Sequence, residues 1–429
     1  MRIAALFASA RRFGLAIINQ ALLSATSFVV AFLLIRRTTD AAYASFVLVQ
    51  TAVILLVSAQ MSWVSGPLAV VALRQPPEPR RLMVGSVRRS LKRIVRSVGT
   101  LAVVISPIVT YALSHDRLVA ALTAFGALAG WGALEREFLR SLLLSYRRPD
   151  ATLKADLVYV ALFLAGGCLA ALGERPAALW AVGGLAAAGG ASAWMMQRTF
   201  ATDPGWVHTD ARPVWREMRP LAVWSLIGAT LYWLFTQSFN YILAARVSLA
   251  AVADINATRL LLMPPVVLTL GVGSLLLPTS VAWLNDLGFA ALLRRLLAVV
   301  IALSCVDFLY FILVWVLRDW LTASVLHKTI ADRDRLLLLW AAVAYIGLLR
   351  DSVQFTLFAL GHQKTMAGLS GASAVTALTI IWFGIAWWGP AAALIGQIAG
   401  ECVNLGGLLI LVRRHARHYE LRWPAAAAR

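Results

Sequence analysis

Hydrophobic positions fall into about twelve long runs parted by short polar breaks. Each run is close to the ~20 residues a helix needs to cross a bilayer. They cover residues 13–35, 43–73, 94–114, 117–146, 153–173 and 177–197 in the first half. In the second half they cover 220–245, 252–284, 292–317, 335–361, 365–388 and 390–412. The second and eighth runs are longer than a bilayer requires, which predicts tilt or extension into water. Pro264-Pro265 predicts a kink in the eighth run, because proline lacks a backbone donor and its ring crowds the preceding turn.

The polar punctuation of the two halves matches. Ser27-Phe28 in the first run answers to Ser238-Phe239 in the seventh, and Pro67 to Pro278, both at an offset of 211 residues. Arg36 pairs with Arg246 and Arg140 with Arg350, one residue out of step. Arg88-Arg89 and Arg294-Arg295 precede or open the third and ninth runs. The common order predicts a duplicated unit, the construction by which many transporters open one site to either side of a membrane. The expected organisation is an all-α integral membrane protein of two pseudo-repeated six-helix bundles. These are residues 1–200 and 220–414, with a linker at 201–219 carrying the turn signal Asp203-Pro204-Gly205 and a tail at 415–429.

Composition strengthens this picture: 60% of residues are hydrophobic, 14% are charged and the mean hydropathy is +0.77. Soluble domains carry roughly a quarter charged residues, so lipid is the expected solvent. Cys168, Cys305 and Cys402 each lie within an apolar run and suggest neither a disulfide nor a metal site. Arg11-Arg12 interrupts the N-terminal apolar stretch, which argues for an anchor rather than a cleavable signal. Most of the 39 Lys and Arg residues fall on the side that holds both termini, which predicts that both termini are cytoplasmic. Short external segments, the longest about 318–334, leave no room for a separate soluble domain.

Charge patterning singles out residues 81–98. At about 100° per residue, Arg81, Arg88, Arg89, Lys92, Arg93 and Arg96 share an arc of roughly 140°. Val84, Val87, Leu91, Ile94, Val95 and Val98 fill the other side. This is a basic amphipathic helix, suited to resting on anionic membrane lipids or to gathering a phosphorylated lipid at a cytoplasmic mouth. Charges inside runs are costly and are functional candidates by default. Arg350 and Asp351 sit near the middle of the tenth run, and Arg140 lies in the fourth beside Glu135, Arg136 and Glu137. These arginines suit a phosphate ligand, with structural pairing inside the bundle as the alternative. Asp307, Asp351 and Glu401 are candidates for ion coupling, against neutral carboxyls bonded to neighbouring helices. Asn19, Gln20, Gln237 and Asn240 on the first and seventh runs suit sugar hydroxyls or interhelical hydrogen bonds. Paired glycines at 166–167, 183–184, 189–190 and 406–407 read as close helix packing. No phosphate-binding loop of the Gly-x-x-x-x-Gly-Lys-Ser/Thr type is present, so the chain is not expected to use ATP itself. No His/Cys cluster has metal spacing, and neither a cofactor nor nucleic acid is expected.

The opening residues Gln20-Ala-Leu-Leu-Ser24-Ala-Thr-Ser27-Phe28, then Arg36-Arg37 and Ser65-Gly66-Pro67-Leu68, resemble the start of bacterial polysaccharide (O-antigen) flippases. These belong to the multidrug/oligosaccharidyl-lipid/polysaccharide (MOP) exporter superfamily, and the duplicated spans extend the resemblance over the chain. The resemblance implies a V-shaped pair of bundles in the bacterial inner membrane. It implies alternating-access passage of an undecaprenyl-pyrophosphate-linked oligosaccharide to the periplasmic leaflet, for surface polysaccharide synthesis alongside polymerase or export proteins. In that setting Arg140, Arg350, Arg89, Arg93, Gln20 and Asn240 are the candidates for holding pyrophosphate and sugar. The first run has no acidic residue, unlike that of many multidrug pumps of the superfamily. The competing readings are a multispanning polymerase or ligase, disfavoured by the short external loops, and an ion-coupled small-solute or drug antiporter of the same fold. The leading expectation is a transporter rather than an enzyme.

Overall fold

The computed structural model describes residues 2–73, 75–146, 148–173, 176–201, 210–359 and 363–422. They contain no strand. Two compact units are present, Met1–Thr230 and Leu231–Arg429. The turn signal at Asp203-Pro204-Gly205 lies outside the described residues.

Unit 1 begins with α1 (Arg2–Arg37) and α2 (Asp40–Gln60), continued through a π-helical turn at Met61–Ser65 into α3 (Gly66–Leu73). Then come α4 (Pro77–Ser114), α5 (Arg117–Ser145), α6 (Pro149–Leu172) and α7 (Ala177–Ala201). α8 (Arg212–Gln237) crosses the unit boundary. Unit 2 continues with α9 (Phe239–Arg246), α10 (Leu249–Leu261), α11 (Met263–Leu287), α12 (Phe289–Val316) and the single turn α13 (Arg318–Trp320). It closes with α14 (Arg333–Ala359), α15 (Gln363–Trp388) and α16 (Ala392–Arg422).

Among the described residues, nine helical stretches are long and apolar enough to cross a membrane, or ten if a bent pair counts as one. One of them, Lys364–His415, holds both α15 and α16, which pack on each other across a short turn. Counting those two separately, and α8 with α9, agrees with the expected number of about twelve. The large exposed hydrophobics, such as Leu309 and Trp387, are what a lipid-facing surface requires.

Local chemistry sets the breaks. Thr39 Oγ1 accepts from Ala42 N at 3.3 Å to start α2, and Ser248 Oγ accepts from Ala251 N at 3.1 Å to start α10. The two caps are 209 residues apart, so the repeat extends to how these helices start. Asp116 caps α5 through Leu118 N at 2.7 Å. The kink expected at Pro264-Pro265 occurs as a 58° bend at Leu262. Pro265 has no N–H for the Leu261 carbonyl four residues back. The Tyr310 hydroxyl of α12 donates to that carbonyl instead, at 2.9 Å. The corresponding stretch of unit 1 has no such break and passes through the π turn.

α4 is a single helix of 38 residues, about 57 Å long, so the basic segment and the third span are continuous. Val84, Val87, Leu91 and Val95 are buried in the unit 1 core with Leu68, Phe138, Leu143 and Met196. Ile94 and Val98, expected on that face, are exposed instead, because the apolar stripe turns towards lipid as the helix enters the membrane. Small residues bring α5, α6 and α7 together. A Cβ on Gly166 would stand 2.5 Å from the Gly184 Cα, and one on Gly132 would stand 2.8 Å from Gly190 N. Gly406 has open space around it, so its pair is not uniformly a packing contact.

Candidate functional site

In each unit the arginine of the fourth span belongs to a buried ionic cluster. In unit 1 the centre is Asp156 of α6, which is fully buried. Its carboxylate accepts from Asn19 Nδ2 at 2.6 Å, Arg136 Nη2 at 2.6 Å and Arg140 Nε at 3.2 Å. Arg140 also donates from Nη1 to Glu137 Oε1 at 3.0 Å and from Nη2 to Gln20 Oε1 at 3.1 Å. All three nitrogens of Arg140 therefore meet an acceptor, through three of its five N–H groups. Arg136 stacks 4.0 Å from the Tyr159 ring centroid. The cluster ties α1, α5 and α6 to one another.

Arg350 of α14 is the counterpart in unit 2 and is almost wholly buried. It reaches the first span of its own half as Arg140 does: its guanidinium carbon lies 5.5 Å from the Tyr232 ring centroid, where Arg140 meets Gln20. The acidic partners differ. Arg350 Nη2 pairs with neighbouring Asp351 at 2.9 Å, and Nε lies 3.4 Å from Glu401 Oε2 on α16 without hydrogen-bond alignment. Its buried Nη1 has no acceptor among the described residues. The duplicated arginine is thus engaged through all three nitrogens in unit 1, whereas in unit 2 its Nε and Nη1 have no hydrogen-bond acceptor among the described residues.

Beside Arg350 lies a cavity of about 260 Å³, lined also by Asp351, Glu401, Asp307 and Arg259. Helical spacing explains the gathering: Trp340, Ala344, Gly347 and Asp351 follow one face of α14, and Gln397 and Glu401 lie one turn apart on α16. Gln397 Nε2 donates to the Thr236 carbonyl at 3.3 Å, fixing α16 against α8. Arg259 sits 5.3 Å from the Trp340 ring centroid, and Trp340 Nε1 donates to the Ile255 carbonyl at 2.9 Å. Three carboxyl groups and two guanidiniums share this wall. Among the described residues no group of His, Cys, Asp and Glu could hold a metal ion.

Four residues singled out in the sequence, Arg350, Asp351, Glu401 and Asp307, come together here. The others lie elsewhere. Arg140 and Gln20 belong to the unit 1 cluster, and Arg89 and Arg93 are exposed on α4. Asn240 is fully buried and accepts from Asn256 Nδ2 at 2.7 Å while its own Nδ2 donates to the Gln237 carbonyl at 3.2 Å. That is the interhelical bonding that was the alternative to sugar recognition. Sequence reasoning missed Asp156, although it is the one acid inside the run 153–173. Arg259, a further charge within the run 252–284, was not singled out either, and it lines the cavity. Tyr232 and Gln397 gave no signal, since neither is charged.

No protein-family model matches the sequence, and no curated protein is similar to it. Solved structures do match in fold. An inward-facing multidrug resistance MATE family transporter of the MOP superfamily superposes with a TM-score of 0.75 at 11% identity, covering 92% of this chain and 94% of that one. The lipid II flippase MurJ in its inward closed conformation gives 0.69 at 10% identity, covering 94% and 87%. An outward-facing MATE transporter gives 0.67 at 11% identity, covering 95% of each. The chain has the multi-pass helical fold of MATE transporters and of the MurJ flippase.

Proposed function

We propose that this chain is an ion-coupled flippase. It moves an undecaprenyl-pyrophosphate-linked oligosaccharide from the cytoplasmic to the periplasmic leaflet of a bacterial inner membrane, for surface polysaccharide synthesis. The observation that carries the reading is the under-satisfied guanidinium of Arg350, held on the wall of a cavity where charged groups interrupt a mainly apolar lining. A buried donor without an acceptor is costly, and a ligand rich in oxygens relieves that cost. Three carboxyl groups facing two guanidiniums leave one charge to be balanced, by a proton or a monovalent cation. Exchange of that cation changes how firmly Glu401 and Asp351 hold Arg350, and so how free it is for phosphate. Rocking of one repeat against the other then changes the side to which the site opens. The polyprenyl tail stays in lipid, and a polymerase consuming the product adds to the drive. Both termini are placed in the cytoplasm by the distribution of basic residues.

The test is deletion of the gene in a host that makes a surface polysaccharide, followed by measurement of the leaflet in which the lipid-linked repeat unit accumulates. The expected result is cytoplasmic-leaflet accumulation, relieved by the native protein and not by Arg350→Ala. Repeat units that reach the periplasmic leaflet in the deletion strain contradict the reading. A second reading is favoured by the carboxyl excess and the modest cavity volume: exchange of a small organic cation for a proton or sodium. It predicts that deletion sensitises cells to lipophilic cations and leaves the lipid-linked intermediate unchanged.

A further inference from the structure

A groove of about 540 Å³ runs over α4, α5 and α7 on unit 1, away from the ionic clusters. Its floor is the stripe Gly183, Ala186, Ala187 and Gly190 of α7, at the spacing of one helix face. Phe125, Leu128 and Trp194 wall it, and all three are exposed. One end is polar. There Arg96, Glu135 and Gln197 line the groove. Both Glu135 oxygens are engaged, by Trp131 Nε1 at 3.1 Å and Gln197 Nε2 at 2.8 Å. Lys92 Nζ in turn donates to Gln197 Oε1 at 3.3 Å. Arg93 and Arg89 stand exposed on the preceding turns of α4, and Arg198 stacks 3.7 Å from the Trp194 ring centroid.

Depth identifies the polar end. Arg96, Glu135 and Gln197 each lie about 27–30 Å along their helices from the opposite terminus, at Ser114, Arg117 and Ala177 respectively. That distance is the ~30 Å thickness of the hydrocarbon core, so the polar end is at headgroup level. Residues 183 to 197 extend about 21 Å along α7, more than the ~15 Å of one leaflet. Its length and its basic end suit an acyl chain of one leaflet with an anionic headgroup.

We propose that this groove binds one anionic phospholipid of the cytoplasmic leaflet. An acyl chain lies along the small-residue floor, and the phosphate rests on Arg96 within the basic face of α4. The glycine at the centre of the floor supplies a clean test. A Cβ at Gly190 meets nothing within 4 Å, so Gly190→Leu projects into the groove without displacing backbone and favours the helix. The full chain is purified and titrated with phosphatidylglycerol or phosphatidylcholine in native mass spectrometry, with thermal unfolding recorded alongside. The native protein is expected to bind phosphatidylglycerol more tightly. Arg96→Gln is expected to reduce that preference about fivefold, the effect of one basic residue at an anionic surface. Gly190→Leu is expected to abolish the tight site for both lipids while the unfolding temperature is kept. Native-like binding by Gly190→Leu overturns the proposal. Equal affinity for the two lipids in the native protein overturns the headgroup assignment, and tighter binding of a polyprenyl phosphate than of phosphatidylglycerol overturns the phospholipid.

Discussion

Whether a buried charge is structural or poised for a ligand depends on how many of its hydrogen-bonding positions are already filled. Asp156 accepts from Asn19, Arg136 and Arg140. Asp156→Ala strands two guanidiniums in the interior of unit 1, and loss of one partner of a buried pair costs about 3–5 kcal/mol. The unfolding temperature in detergent should therefore fall sharply, and expression with it. Arg350→Ala removes a side chain whose Nη1 has no acceptor and whose Nε is poorly aligned, beside an open cavity. Its thermal stability should fall less than that of Asp156→Ala, while complementation is lost. Equal thermal losses for the two variants would mean that both clusters are structural locks. Gly347→Leu, which fills the cavity wall from α14, should likewise abolish complementation and leave folding intact.

On the scale of elements, the bend between α10 and α11 is built from two complementary parts. Pro265 withholds a backbone donor, and Tyr310 supplies a hydroxyl to the carbonyl left over. Tyr310→Phe should cost about 1–3 kcal/mol, the cost of an unsatisfied buried acceptor. In a Pro265→Ala background the helix regains its own N–H, so the same change should cost much less. Thermal unfolding of the two single variants and the double variant measures the coupling, and additive losses would remove this account of the bend. Close packing in unit 1 gives a simpler expectation. Gly166→Val drives a side chain into the α7 backbone at Gly184 and should destabilise by about 1–3 kcal/mol.

For the whole molecule the testable quantity is orientation. The basic face of α4 and the segment between α13 and α14 should lie on opposite sides of the membrane. Cys168, Cys305 and Cys402 are first replaced, and single cysteines are then introduced as Arg89→Cys and Ala331→Cys, both at exposed positions. A membrane-impermeant thiol reagent applied to intact cells should label the second and spare the first. The reverse pattern would place both termini outside and invert the direction of transport argued above. The segment 318–334 is well suited to carry the probe. Arg318 and Arg333 pair with Asp334 and Asp319 at 3.2 and 2.7 Å, and Lys328 pairs with Asp254 of α10 at 3.0 Å.

The sequence by itself determined the solvent, the helical class, the duplication and the bend. Each follows from information local to one stretch of chain: an apolar run has one low-energy conformation in lipid, and a proline removes a donor wherever it stands. It also nominated Arg350, Asp351, Glu401 and Asp307, because a charge in an apolar run is costly whatever its neighbours. Only the tertiary structure decided which charges neutralise one another. Arg140 and Arg350 occupy matching places in the repeat, yet Arg140 meets Asp156 from α6 and Arg350 meets Glu401 from α16. That difference lies in which helix faces which, and helical periodicity along one chain segment carries no record of the facing segment. Arg259 and Gln397 joined the cavity, and Asn240 turned to Asn256, for the same reason. A buried ion's role is set by its number of partners, and those partners are brought together by packing between helices.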